Sequence, residues 1–259
     1  MNRRRPSPPP RVLLVGAGRF GQEHLRTWQQ LEKQGLAQLA GVVVRSQASA
    51  NALAKAHPGL AVWSGLTTER LAGVDAVDIA TPGTTHADLV ATCLPHADVL
   101  CEKPLASDEA SAGALFRLAQ RHGRRLQAGH NYLYHPTVTA LLGEARAATT
   151  PPATVRIRLL NPADQAIPGR CPFEEWLHAF YLLQALDPRP PRVLSAWRTP
   201  LTAEVSLVLP SGTKASLSMG WQGHARQRSL ELQWPDRQLR ADLDDGQIVR
   251  QRRGATERL

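Results

Sequence analysis

Arg11-Val-Leu-Leu-Val-Gly-Ala-Gly-Arg-Phe-Gly21 is the stretch that decides the fold. Arg11 to Val15 reads as a buried parallel strand, and Gln22 to Gln34 as a helix whose apolar positions, Leu25, Trp28 and Leu31, continue from Phe20. The glycines therefore stand at a strand-to-helix turn. There Gly16 permits the tight turn, Gly18 lets backbone approach a pyrophosphate, and Gly21 lets helix and strand pack closely. The helix N-terminus adds N–H groups and the positive end of a dipole, so the pattern implies a bound dinucleotide. The competing reading is a glycine-rich turn that binds nothing.

A second apolar strand, Leu39 to Val44, ends where an acidic residue would hold the ribose hydroxyls of NAD. Arg45 and Ser46 occupy that place instead. A guanidinium pairs with a 2′-phosphate and a hydroxyl can donate to it, so NADP(H) is expected over NAD(H). The alternative is that Arg45 is a solvated loop charge.

At 259 residues the chain can bury a full core, expected as two lobes. Its net charge of +9 is carried by scattered arginines without an aromatic-laced stripe, which argues against nucleic acid as a partner. No apolar run approaches the length of a membrane span. Cys93, Cys101 and Cys171 offer neither metal-ligand spacing nor a disulfide framework, so no metal is expected and a cytoplasmic location is. Residues 1–10, Met-Asn-Arg-Arg-Arg-Pro-Ser-Pro-Pro-Pro, read as a disordered, basic, proline-rich tail.

Further on, Asp75 to Ala80 reads as a strand followed by the loop Thr81-Pro-Gly-Thr-Thr-His86, then a helix from Ala87 to Leu94. The strand Asp98 to Cys101 delivers Glu102-Lys103-Pro104 at its C-terminal end. Ser107 and Asp108 cap a helix running to about His122, and Arg125 to Ala128 closes the sheet. Alternating strands and helices imply an α/β domain with a doubly wound parallel sheet, whose ligands bind at the carboxyl ends of the strands.

Three ordered motifs, Gly16-Ala-Gly-Arg-Phe-Gly21 with His24, Ala80-Thr-Pro-Gly-Thr-Thr-His86 and Val99-Leu-Cys-Glu-Lys-Pro-Leu105, resemble those of the glucose-fructose oxidoreductase, inositol dehydrogenase and MocA (Gfo/Idh/MocA) family. The resemblance covers about the first 135 residues. It implies a Rossmann domain, placed at residues 11–128, and then a smaller α+β domain with a mostly antiparallel open sheet at 129–259. It also implies hydride transfer between NAD(P) and a sugar, polyol or related carbonyl compound. The cofactor-binding set is expected to be Gly16, Gly18, Arg19, Phe20, Gly21, Arg45, Ser46, Thr81, Pro82, His86, Glu102 and Lys103. Lys103 and His178 carry over as catalytic residues, with Glu174, one helical turn before His178, as a partner able to orient the imidazole. A purely structural His–Glu pair would look the same. Asn131 and Tyr134 are candidate substrate contacts.

The chemistry can be stated without the resemblance: reducing a carbonyl builds negative charge on oxygen, which a cation and a proton donor stabilise. Leu133 stands where many members have arginine and Glu174 where aspartate is common, so a sugar is not required and an imine substrate stays open. A helix is expected over Phe173 to Leu186, a Pro-rich linker at Asp187 to Pro191, and strands over Thr154–Leu160, about the Pro210-Ser-Gly212 turn, Ser229–Trp234, Gln238–Leu243 and Gln247–Arg250. The chain ends early for the family, so a small second sheet is expected. Trp197, Trp221 and Trp234 are expected to cover that sheet or a subunit contact. A dimer or tetramer fits the resemblance, and a non-catalytic NADP-binding sensor or scaffold is the alternative function.

Overall fold

The computed structural model describes residues 8–166, 171–252 and 255–258; most of the expected tail, residues 1–7, lies outside them. The chain divides into two compact units, Met1–Gly129 and His130–Leu259.

In the first unit the strands are β1 (Arg11–Val15), β2 (Gln38–Val44), β3 (Val62–Ser64), β4 (Ala76–Ile79), β5 (Asp98–Cys101) and β6 (Leu126–Ala128). The helices are α1 (Arg19–Lys33), α2 (Gln47–Ala56), α3 (Thr68–Leu71), α4 (His86–Cys93) and α5 (Glu109–Arg121). The sheet runs β3-β2-β1-β4-β5-β6 and every pairing is parallel. This is the doubly wound order with its switch between β1 and β4. Side chains alternate between two cores: Leu13 and Val15 join Val77, Ile79 and Val99 on one face, while Leu14 joins Val42, Val44 and Leu25 on the other. The strands are apolar runs because both faces are covered.

The second unit contains α6 (Pro136–Ala147), β7 (Thr154–Asn161), α7 (Pro172–Glu175), α8 (His178–Leu186), β8 (Arg192–Arg198), β9 (Thr202–Val208), β10 (Lys214–Trp221), β11 (Gln227–Gln233), β12 (Arg237–Asp242), β13 (Ile248–Arg252) and β14 (Ala255–Arg258). Its sheet has eight strands in the order β14-β13-β12-β11-β7-β10-β9-β8. All pairings are antiparallel except β7 with β10. The expectation of a small second sheet is thus corrected: β8 and β14 extend both edges, and neither shows the buried-exposed alternation that would mark it in sequence. Leu141, Leu182, Ile157, Leu217 and Leu239 pack between the helices and one sheet face. Trp221 and Trp234 are buried in that core, whereas Trp197 is exposed.

Candidate functional site

The glycine turn forms as its spacing predicts. Gly16 has φ of +104°, and a Cβ there would stand 2.6 Å from the Ala80 carbonyl oxygen. A Cβ at Gly21 would run into the Gly16 carbonyl. At Gly18, by contrast, a Cβ would meet no protein atom within 4 Å. Gly18 is the extended N-cap of α1, with no side-chain cap, and the first turn of the helix holds no acidic residue. The helix therefore starts at Arg19, three residues earlier than its apolar pattern suggests, and its first N–H groups face the turn without an acidic side chain of that turn beside them. These residues fit the pyrophosphate of a dinucleotide. Arg19 and Phe20 are exposed beside the turn.

At the end of β2, Arg45 is exposed and Ser46 is the N-cap of α2. The Ser46 hydroxyl oxygen accepts from the Ser49 N–H at 3.2 Å and lies 2.9 Å from the Ser49 hydroxyl. Capping is a role the sequence reading did not assign to it.

His86 ties two loops of this unit together. It is 1% exposed, with Nδ1 2.6 Å from the Pro104 carbonyl and Nε2 2.8 Å from the Thr81 carbonyl. Thr81 and Pro82 are thereby held to the Glu-Lys-Pro segment. Glu102 is anchored through its N–H to the Ile79 carbonyl at 2.8 Å, and its carboxylate accepts from the Lys103 N–H at 3.1 Å. Lys103 is half-buried at the carboxyl end of β5.

Beneath these loops lies a polar cluster that sequence reading missed. Asp78, 1% exposed in the otherwise apolar β4, accepts from Trp28 Nε1 at 2.6 Å and lies 2.7 Å from His24 Nδ1. His24 Nε2 is 3.4 Å from Glu102. Burial works against a charge on His24, but the hydrogen bonds and charges of Asp78 and Glu102 outweigh it and raise its pKa to about 10. Among the described residues Asp78 Oδ1 is buried without a hydrogen-bond partner. A lone carboxylate inside a buried strand was the available signal.

In the second unit, the expected helix over Phe173 to Leu186 is broken. Trp176, at φ −111° and ψ 38°, ends α7, and α8 begins at His178. The break lets the Trp176 ring enter the core and meet Trp221 edge-on at 4.5 Å. Glu174 and His178 are therefore not successive turns of one helix, which corrects the basis for pairing them; the Glu174 side chain lies outside the described residues. His178 Nδ1 lies 2.6 Å from the Tyr181 hydroxyl, three residues on along α8. The same hydroxyl donates to the Asn131 carbonyl oxygen at 3.2 Å and accepts from the Tyr132 N–H at 3.2 Å. His130 stacks on Tyr181 at 4.2 Å, and Tyr132 meets the His178 ring edge-on at 4.9 Å. Asn131 thus joins His178 through Tyr181, while Tyr134 is 70% exposed. Tyr181, Tyr132 and His130 were not anticipated; the i,i+3 spacing of Tyr181 from His178 was the signal for the first.

Among the described residues no helix is long and apolar enough to cross a membrane, and no group of three His, Cys, Asp or Glu could hold a metal.

Comparisons with known proteins bear on the fold and on the first unit. The profile of the Gfo/Idh/MocA family, an oxidoreductase family with an NAD-binding Rossmann fold, matches residues 10–130. An inositol 2-dehydrogenase of Arthrobacter sp. (strain FB24) is 34% identical over 170 residues, 58% of this chain and 50% of the relative. The rhizopine catabolism protein MocA of Rhizobium meliloti is 34% identical over 145 residues, 53% of this chain and 42% of the relative. The chain thus spans about half the length of the curated relatives it matches. Among solved structures, UDP-N-acetylglucosamine 3-dehydrogenase GnnA from Acidithiobacillus ferrooxidans superposes with a TM-score of 0.82 at 25% identity, covering 96% of this chain and 82% of that one. The open conformation of KijD10, a 3-ketoreductase from Actinomadura kijaniata in complex with TDP-benzene and NADP, shares the fold with a TM-score of 0.79 at 19% identity, covering 97% of this chain and 83% of that one. Residues 10–130, which carry the glycine turn and the Glu-Lys-Pro segment, thus match the Gfo/Idh/MocA oxidoreductase family, whose NAD-binding Rossmann fold the first unit shares.

Proposed function

We propose that this chain is an NADPH-preferring oxidoreductase that moves a hydride to or from a small sugar-like alcohol or carbonyl compound, with an imine as the related alternative. The observation that carries the reading is the start of α1 at Gly18, which has no side-chain cap, where a Cβ would meet no protein atom within 4 Å and no carboxylate of the first turn competes for the helix N–H groups. The inositol 2-dehydrogenase relatives support a polyol-like substrate. The bound nicotinamide would supply or accept the hydride. The chain's part is to hold and charge the reacting group: Lys103 stabilises negative charge on the substrate oxygen, and His178 gives or takes the proton. Gly16, Gly18 and the first turn of α1 hold the pyrophosphate, and Thr81, Pro82, Glu102 and His86 shape the loops around the cofactor. Arg45 pairs with the 2′-phosphate; Ser46, through its cap, sets the start of α2 beside it.

Exposed Val193, Leu194 and Trp197 on β8 support a homo-oligomer, which light scattering in solution tests. The free cysteines suit a reducing, cytoplasmic setting.

The decisive experiment is a fluorescence titration of the full chain with NADPH and NADH at one ionic strength, repeated with Arg45→Ala. Tighter NADPH binding is expected, with about a tenfold to hundredfold loss in the variant, as charge-assisted bonds of about 1.5–3 kcal/mol imply. Equal affinities would remove the 2′-phosphate argument. Binding of neither cofactor would overturn the oxidoreductase reading.

A further inference from the structure

We infer that His24 is a positioning residue: it faces a carboxylate with each ring nitrogen, ties Glu102 to Asp78 of the neighbouring strand, and through Glu102 fixes the peptide N–H of Lys103. The inference rests on the reading of Lys103 as the residue that places charge beside the reacting group. Phe20, His24 and Trp28 follow one another at i,i+4 spacing along a single face of α1. That face meets the acids of two adjacent strands. His24 Nδ1 lies 2.7 Å from Asp78 Oδ2, an oxygen that also accepts from Trp28 Nε1 at 2.6 Å. His24 Nε2 lies 3.4 Å from Glu102 Oε1. A carboxylate oxygen only accepts, so both contacts are favourable together when each ring nitrogen carries a proton. The side chains of His24, Asp78 and Glu102 are 17%, 1% and 13% exposed, so solvent screens these charges little.

Glu102 passes this hold on to its neighbour. Its Oε1 faces His24, and its Oε2 accepts from the Lys103 N–H at 3.1 Å. Behind it the chain leaves no room: a Cβ at Gly129 would stand 2.7 Å from Oε1. The backbone on either side of Lys103 is anchored as well, by the Glu102 N–H on the Ile79 carbonyl at 2.8 Å and by the Pro104 carbonyl at 2.6 Å from His86 Nδ1. The Glu102 carboxylate is therefore the hold on the Lys103 peptide that depends on charge. The titratable groups around the imidazole are Asp78 of β4, Glu102 after β5, and Cys101 of β5, which burial and the charges of both acids keep a neutral thiol. Without the cation, two acids would face a neutral ring able to give a proton to only one of them, and their repulsion would turn Glu102, the more exposed, away from the Lys103 N–H.

The test reads the Lys103 peptide itself. The chain has four lysines, Lys33, Lys55, Lys103 and Lys214, so the full chain labelled with ¹⁵N-lysine gives four backbone amide signals, and Lys103→Arg identifies one of them. At about pH 7, where an ordinary imidazole is mostly neutral, the native Lys103 N–H should be displaced downfield by its carboxylate. His24→Gln should return it upfield and speed its exchange about tenfold or more, as loss of a charge-assisted bond implies. The effect should pass through Glu102, so in Glu102→Ala the added His24→Gln should move the signal no further. A residue that only filled space would move it in either background. A further shift in the Glu102→Ala chain, or a native signal indifferent to His24→Gln, would overturn the inference. If His24→Gln does not fold, the reverse coupling decides. In the ¹⁵N-histidine-labelled chain His24, assigned by its contact with the Phe20 ring, should titrate at about pH 10 and lower in Glu102→Gln; an unmoved midpoint would overturn the inference. None of these spectra requires cofactor or substrate. A chain that behaves so yet binds neither NADPH nor NADH would lose the proposed function and keep His24 as the residue that sets the Lys103 peptide.

Discussion

His24 shows what a single residue does when its partners are distant in sequence. Asp78 and Glu102 hold it as a cation in a place where burial alone would discharge it. Its pKa is raised in the folded chain, from about 6.5 to about 10, so its contribution to stability is complete below pH 6.5 and is lost as pH rises toward 10. The melting temperature should accordingly fall across that window. His24→Gln, which cannot titrate, should flatten the fall; identical pH slopes in the two proteins would remove His24 as its cause. None of this could be read from the sequence, because the His24–Asp78 contact spans 54 positions. Gly16 and Gly21 were legible for the opposite reason: their constraint is set within one turn and one neighbouring strand.

At the scale of elements, the same turn separates two kinds of glycine. Gly21→Ala drives a methyl group into the Gly16 carbonyl and should destabilise the fold by about 1–3 kcal/mol, visible as a lower urea midpoint. Gly18→Ala meets no protein atom and should leave the midpoint unchanged while weakening NADPH binding at least tenfold, by about 1.4 kcal/mol. A stability loss at Gly18, or none at Gly21, would show that the turn is built otherwise. Parallel strands were easy to find because covered faces demand continuous apolar runs. The half-buried β3, with only three residues, and the wholly exposed β8 offered no such pattern. The break at Trp176 escaped notice because the helical spacing continues across it, and only the need to bury a large ring in the second core explains the interruption.

For the molecule as a whole, each unit has its own core, and the fingerprint residues all belong to the first. Cofactor binding should slow amide exchange at residues 14–24, 43–49 and 79–86 and leave β12 to β14 unchanged in hydrogen-exchange mass spectrometry. Protection spread evenly over both units would contradict a dinucleotide site built on the β1–α1 turn. The first unit was legible in its glycine turn and in the strands β1, β2, β4, β5 and β6, while α2, β3 and α3, between residues 47 and 71, were not read. The second was legible in its inner strands but not in β8 and β14 or in the order of its sheet, since alternation marks a strand without naming its neighbours.

The place of β7 has a consequence for how the chain is made. It leaves the ribosome before every other strand of its sheet, yet it lies at the centre, between β10 and β11. The strands β8 to β10 and β11 to β14 can each fold as a meander on their own, while Arg156 of β7 waits for Glu231, 75 positions later. β7 has two open edges until β10 is made and one until β11 follows, and closing each costs a long loop. Synthesis that stops before β11 therefore leaves the edge of a half-apolar strand bare, a ready surface for the wrong partner.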